Sequence, residues 1–114
     1  MSRVEKVSAL LRKEISEIIR RRIDDRRIGF VSITDVEVSV DFEYAVVFYS
    51  QIGTEKEKKE TIKGFLSAKN QIQSELCKVM RMRTVPRLSF KYDYSLEKGF
   101  DLVNKLNNLN KNDK

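Results

Sequence analysis

The 114-residue chain has no histidine and no tryptophan, one cysteine, one proline and four glycines. Without histidine a zinc site of ordinary composition is not available, and the side chain most often used for general acid–base work near neutral pH is missing. The lone Cys77 cannot close an intramolecular disulfide. Placed beside Leu76 in an apolar-periodic segment, it reads as a small core or boundary residue rather than a nucleophile. Scarce glycine and proline together with 40% hydrophobic residues indicate a regular fold rather than disorder. No apolar run approaches the roughly 20 residues needed to span a bilayer, and the N-terminus lacks the apolar core of a signal peptide, so a cytoplasmic protein with no membrane partner is expected. A glycine-rich phosphate loop of the Walker type is absent too. No serine or cysteine has an evident base partner, and the carboxylates cluster at spacings common to any solvated surface. The expectation is a non-enzyme with no cofactor and no metal.

What the chain does have is positive charge: 23 Lys and Arg against 17 Asp and Glu, net +6, in a length that suits one domain with one core. That balance favours anionic partners. The densest cluster is Lys78, Arg81, Arg83, Arg87 and Lys91, at the junction where a basic helix end meets Pro86 and then a strand in which Leu88, Phe90 and Tyr92 alternate with Ser89 and Lys91. Cations gathered there suit phosphate contact, since neutralising phosphates releases condensed counterions. The competing reading is that they complement a helix dipole. The same choice applies to Arg20, Arg21 and Arg22, which end the first helix, and to Arg26 and Arg27 just beyond.

Along the chain, Ser2 with Glu5 forms a capping box ahead of Val4, Val7, Leu11, Ile15 and Ile18, predicting a helix over about residues 3–22. Phe30 to Val38 reads as a strand with a phase shift at Asp35 that suggests a bulge, Ser39 to Phe42 as a turn, and Tyr44 to Ser50 as a central strand in a hairpin with the first. Thr54 with Glu57 opens a second, highly charged helix with Ile62, Phe65 and Leu66 inward. Ala68, Lys69 and Asn70 read as a break, because Asn70 followed by Gln73 can restart a helix. A third helix then carries Ile72, Leu76, Val79 and Met80 inward. After the strand at Leu88 to Tyr92, Asp93 or Ser95 caps a last helix bearing Leu96, Phe100, Val103, Leu106 and Leu109; residues 110–114 form a polar tail.

This order predicts a single α+β domain over residues 1–109. Its layout is that of a KH-like domain of the second type, α-β-β-α-kink-α-β, with an added C-terminal helix, although residues 68–70 lack the Gly-x-x-Gly loop that usually grips nucleic-acid backbone. The blocks Arg26 to Ser39, Asp41 to Val47, Arg81 to Phe90 and Tyr92 to Gly99, in that order over almost the whole length, resemble the bacterial ribosome-binding factor A family. The resemblance implies a helix-kink-helix in place of the Gly-x-x-Gly loop, with Asn70 where the family's Ala-x-Gly signature has glycine. It also implies a monomeric, non-catalytic factor that binds the small ribosomal subunit, helps mature its ribosomal RNA and matters most in the cold. Arg20, Arg21, Arg22, Arg26, Arg27, Lys69, Lys78, Arg81, Arg83, Arg87 and Lys91 are then the candidate RNA contacts. Two rival readings stay open on the residues alone: a helix-turn-helix DNA regulator built on residues 54–83, and a protein-binding adaptor using Tyr44, Phe48 and Tyr49.

Overall fold

A computed structural model describes residues 2–82 and 84–95. Helix α1 (Arg3–Arg22) starts where Ser2 Oγ accepts the Glu5 N–H at 3.1 Å and buries Leu11, Ile15 and Ile18. Strands β1 (Val31–Val38) and β2 (Tyr44–Gln51) form an antiparallel hairpin. Its register shifts between Ile33 and Asp35, so Thr34 is the extra residue of the expected bulge. At the hairpin tip Phe42 takes a left-handed backbone with φ of 61°. Asp41 and Ser39 support that strained residue by accepting the Glu43 and Tyr44 N–H groups, and hydrogen bonds from the Ser39 hydroxyl and the Glu43 N–H hold the Asp41 carboxyl below its ordinary pKa.

Helix α2 (Glu55–Val79) crosses over to β3 (Arg87–Tyr92), which pairs parallel to β2 and makes β2 the central strand of three. The capping box at Thr54 and Glu57 is present with both reciprocal bonds. The expected break at Ala68, Lys69 and Asn70 is not: α2 runs unbroken for 25 residues, and Asn70 is helical and exposed. The reason lies in the buried stripe. Thr61, Phe65, Ala68, Ile72 and Leu76 follow one another at spacings of three or four, so Ala68 keeps the apolar face in phase with the sheet below. An exposed mid-helix asparagine costs only about half a kcal/mol relative to alanine, too little to interrupt that packing. Gln73, the expected restart signal, instead ties the start of β3 to the helix, its amide donating to the Pro86 carbonyl at 2.8 Å and accepting the Leu88 N–H at 3.1 Å.

Both helices lie on one face of the sheet. Leu11, Ile15, Val36, Val47, Tyr49, Phe65, Ile72, Leu76 and Leu88 form the fully buried centre. Ile62, Leu66 and Val79, expected inward, are substantially exposed, because α2 is rotated to bring Thr61 and Gly64 against the loop after α1. Cys77, expected at the core or its boundary, is exposed. The last helix and the tail lie outside the described residues. The element order, with its antiparallel hairpin and parallel crossover, is consistent with a KH-like fold.

Candidate nucleic-acid interface

The C-terminal end of α1 and the loop after it run along α2, and two side chains of α2 fasten them there. Gln71 donates its amide to the Arg22 carbonyl at 3.0 Å, and the Thr61 hydroxyl donates to the Arg27 carbonyl at 3.0 Å. About ten helical residues separate those anchors, roughly 15 Å of helix. The segment carrying Arg22, Arg26 and Arg27 is therefore laid along α2 in reverse direction. Gly64 lies between the anchors, where a Cβ would sit 2.7 Å from Ile28 Cγ1 and 3.3 Å from the Ile28 nitrogen, so the absence of a side chain sets the approach.

Some of these cations have carboxylate partners and some do not. Arg20 and Arg21 share Glu17, Lys78 reaches Glu75 at 3.4 Å, and Arg27 forks onto Asp25 with bonds of 3.0 and 2.6 Å. The Arg27 hydrogen bond holds Asp25 below the usual carboxylate range and raises Arg27 further, so that pair is fully ionised at neutral pH. Exposed pairs contribute no more than about 1 kcal/mol each, which leaves their cations available to a polyanion. Among the described residues Arg22, Arg26, Lys69, Arg81, Arg87 and Lys91 form no ion pair.

Not all of the candidate cations converge. Arg21 and Arg22 line one shallow hollow of mixed charge with Glu14, Glu17, Glu75, Ile18 and Val79, and Arg81 follows directly on that end of α2. Lys69 stands on the other flank of α2, in a small cavity of about 130 Å³ with Ile62, Leu66, Ser89 and Phe90. Arg87 and Lys91 lie elsewhere. Within β3 they alternate with buried Leu88 and pair in register with Tyr44 and Phe48, which places them on the sheet face opposite the helices. Arg83 is outside the described residues. The cations thus form a helix-side group, Arg20–Arg22, Arg26, Arg27, Lys78 and Arg81 with Lys69 on the far flank, and a separate pair on the open sheet face.

Sequence reasoning missed the anchors Thr61, Gln71 and Gln73, and the aromatic run beside the β3 edge. Phe90 stacks on Phe65 with centroids 4.5 Å apart and planes 7° from parallel, Phe65 meets Tyr49 at 4.7 Å, and Tyr49 meets Tyr92 edge-on at 5.7 Å. The alternation of Phe90 and Tyr92 is visible in the sequence; their partner Phe65, far away in the chain, is not. Among the described residues no group of carboxylate and thiol ligands could hold a metal, and no helix is long and apolar enough to cross a membrane.

These features define a small basic α+β domain of KH-like arrangement with a group of arginines and lysines on its helical side. Similarity to known proteins specifies it further. The sequence profile of ribosome-binding factor A matches residues 3–106. The protein is 50% identical over 108 residues to ribosome-binding factor A of Dictyoglomus thermophilum, covering 94% of this chain and 90% of that one, and 42% identical over 111 residues to that of Staphylococcus carnosus, covering 97% and 96%. The chain belongs to the ribosome-binding factor A family. Its fold superposes on the solution structure of a Thermotoga maritima relative with a TM-score of 0.69 at 29% identity, over 82% of this chain and 89% of that one. The crystal structure of the Thermus thermophilus factor gives 0.70 at 22% identity, over 80% and 97%. A homology model of the Thermus thermophilus factor, fitted into a cryo-EM map of its 30S complex, gives 0.63 at 23% identity, over 76% and 91%.

Proposed function

We propose that this protein binds the small ribosomal subunit through its ribosomal RNA and, without catalysing a reaction, promotes processing of that RNA and late maturation of the subunit in the cytoplasm, with the greatest effect in the cold. The observation that carries the reading is the helix-side cation group, in which Arg22, Arg26 and Arg81 have no carboxylate partner among the described residues and the segment from the end of α1 through Arg27, which bears the first two, is fastened to α2. A fixed array of unpaired arginines presents several phosphate contacts at once, and each contact adds to affinity through counterion release. Family membership and the 30S complex of a structural neighbour supply the polyanion. The cold dependence follows from RNA energetics: non-native pairings resolve more slowly as temperature falls, so a factor that favours one arrangement matters more there. The helix-turn-helix alternative loses its basis, since α2 is continuous through the segment where the turn would have to fall.

The test is a deletion strain grown at low and high temperature. The reading expects precursor ribosomal RNA and a deficit of mature small subunits, worse in the cold, with the protein co-migrating with immature small subunits on gradients. Normal subunit profiles in the cold would contradict it.

A further inference from the structure

The sheet face that the helices leave open is sorted by residue type across its strands. Register places Asp35 of β1, Phe48 of β2 and Lys91 of β3 in one row, Glu37, Val46 and Ser89 in the next, and Tyr44 beside Arg87 beyond that. Acids therefore run along one edge of this face, two aromatic rings along its centre and cations along the other edge. Tyr44 is 57% exposed. Phe48 is half-buried and opens onto a hollow of about 690 Å³ that Asp35, Glu37 and Lys91 also line and that continues round the β3 edge to Phe90. Asp35, Glu37, Arg87 and Lys91 form no ion pair among the described residues, and Asp35 Oδ1 accepts the Val36 N–H. Asp93, at the end of the same face, is already engaged by the Thr34 hydroxyl and the Ser95 N–H.

Neighbouring strands lie about 4.8 Å apart, so the row from Asp35 to Lys91 is about 10 Å wide. An unpaired nucleotide laid across it puts its phosphate at the cation, its base on the ring and the outer edge of that base at the carboxylate. A carboxylate only accepts hydrogen bonds, so it favours a base with an exocyclic amino group over uracil, whose single edge donor is flanked by two carbonyl oxygens. Resting on the ribosomal RNA reading above, we infer that the open sheet face holds a single-stranded segment of that RNA, with one base stacked on Phe48 and another on Tyr44, phosphates along Lys91 and Arg87, and an amino-bearing base edge directed at Asp35. The two rings are four residues apart on β2, about 13 Å, which is far more than the separation of stacked neighbours. The segment is therefore splayed over Val46, and a duplex, whose base faces are covered by one another, does not fit. A second copy of the chain is the weaker occupant, because Tyr44, Val46 and Phe48 are the apolar side chains of the central strand on this face and fall well short of the roughly 800 Å² per partner of a stable interface.

Titration of the isotope-labelled full chain with short oligocytidine and oligouridine tests this. Amide resonances of Asp35, Val46, Phe48 and Lys91 should shift with oligocytidine, and oligouridine should bind at least about fivefold more weakly. Tyr44→Leu with Phe48→Leu keeps apolar bulk and removes both rings, and should weaken oligocytidine binding at least about tenfold. The Arg22→Ala, Arg26→Ala, Arg81→Ala variant, altered on the helical side, should still show the sheet-face shifts. Shifts confined to helix-side residues, equal affinity for the two oligonucleotides, or unchanged affinity in the leucine variant would overturn the inference; none of these touches the helix-side reading, which the salt dependence of subunit binding decides. Contacts in the free protein between the Phe48 ring and residues 96–114 would overturn it too, by giving the face to the chain itself. So would Phe48 shifts that grow with protein concentration in step with a dimer mass.

Discussion

Gly64→Ala should destabilise the protein even though it replaces the poorer helix former. At an exposed helical position the change gains about 1 kcal/mol. Here the new methyl would meet Ile28 Cγ1 at 2.7 Å, Arg27 Cβ at 3.2 Å and the Ile28 nitrogen at 3.3 Å. The first is the branch of a side chain rather than its free end, and the last is backbone. That backbone cannot retreat cheaply, because the Ile28 N–H donates to the Asp25 carbonyl at 3.0 Å and the Arg27 carbonyl accepts the Thr61 hydroxyl. Overpacking of this kind costs about 1–3 kcal/mol, and each neutral hydrogen bond lost adds about 1 kcal/mol. Set against the propensity gain, the net expectation is a loss of about 1–2 kcal/mol, or roughly 4–12 °C in Tm for a domain of this size. Urea denaturation of the full chain reads it directly. Ser67→Ala, exposed on the same helix, is the control and should gain a few tenths of a kcal/mol. If Gly64→Ala instead stabilises by about 1 kcal/mol, the loop is not pressed onto α2 there, and the placement of Arg26 and Arg27 along the helix is wrong with it.

Continuity of α2 predicts that Asn70→Ala stabilises by about half a kcal/mol and that Asn70→Gly is the least stable of the alanine, asparagine, valine and glycine set in chemical denaturation; glycine as the best residue would restore the break. The Thr34 and Ser95 hydrogen bonds hold Asp93 below its ordinary carboxyl pKa, so the stability they contribute is present above about pH 4 and is lost as pH falls through the lowered folded value. Thr34→Val removes the larger cause, and its denaturation midpoint should therefore fall less between about pH 6 and pH 3 than that of the wild type; parallel falls would show that the bond does not bias the proton.

Much of this architecture is legible locally. Period-two alternation shows the hairpin, the Asp35 phase shift shows the bulge, and Ser2–Glu5 and Thr54–Glu57 mark both helix starts, because each depends on neighbours within a few residues. The misread features depend on distant ones. Ala68 carries a small apolar side chain and so weakens the stripe in sequence, yet the space above the sheet needs no more than a methyl there, and the helix continues. Ile62, Leu66 and Val79 are as hydrophobic as the buried positions; only the loop at Arg27 and Ile28, pressing on Thr61 and Gly64, fixes which of two adjacent stripes turns inward. Cations at element ends are plain in the sequence, but their division between the helical side and the open sheet face follows from which face the helices cover.

The central claim is that the helix-side arginines engage ribosomal RNA phosphates, and the salt dependence of small-subunit binding tests it most directly. Binding of the wild-type protein and of an Arg22→Ala, Arg26→Ala, Arg81→Ala variant would be measured across a salt series, with Lys56→Ala on the charged first turn of α2 as the control. Each lost phosphate contact lowers the slope of log K against log salt by about one unit, so the triple variant should lose about two to three units while the control keeps the wild-type slope. An unchanged slope in the triple variant would contradict the account.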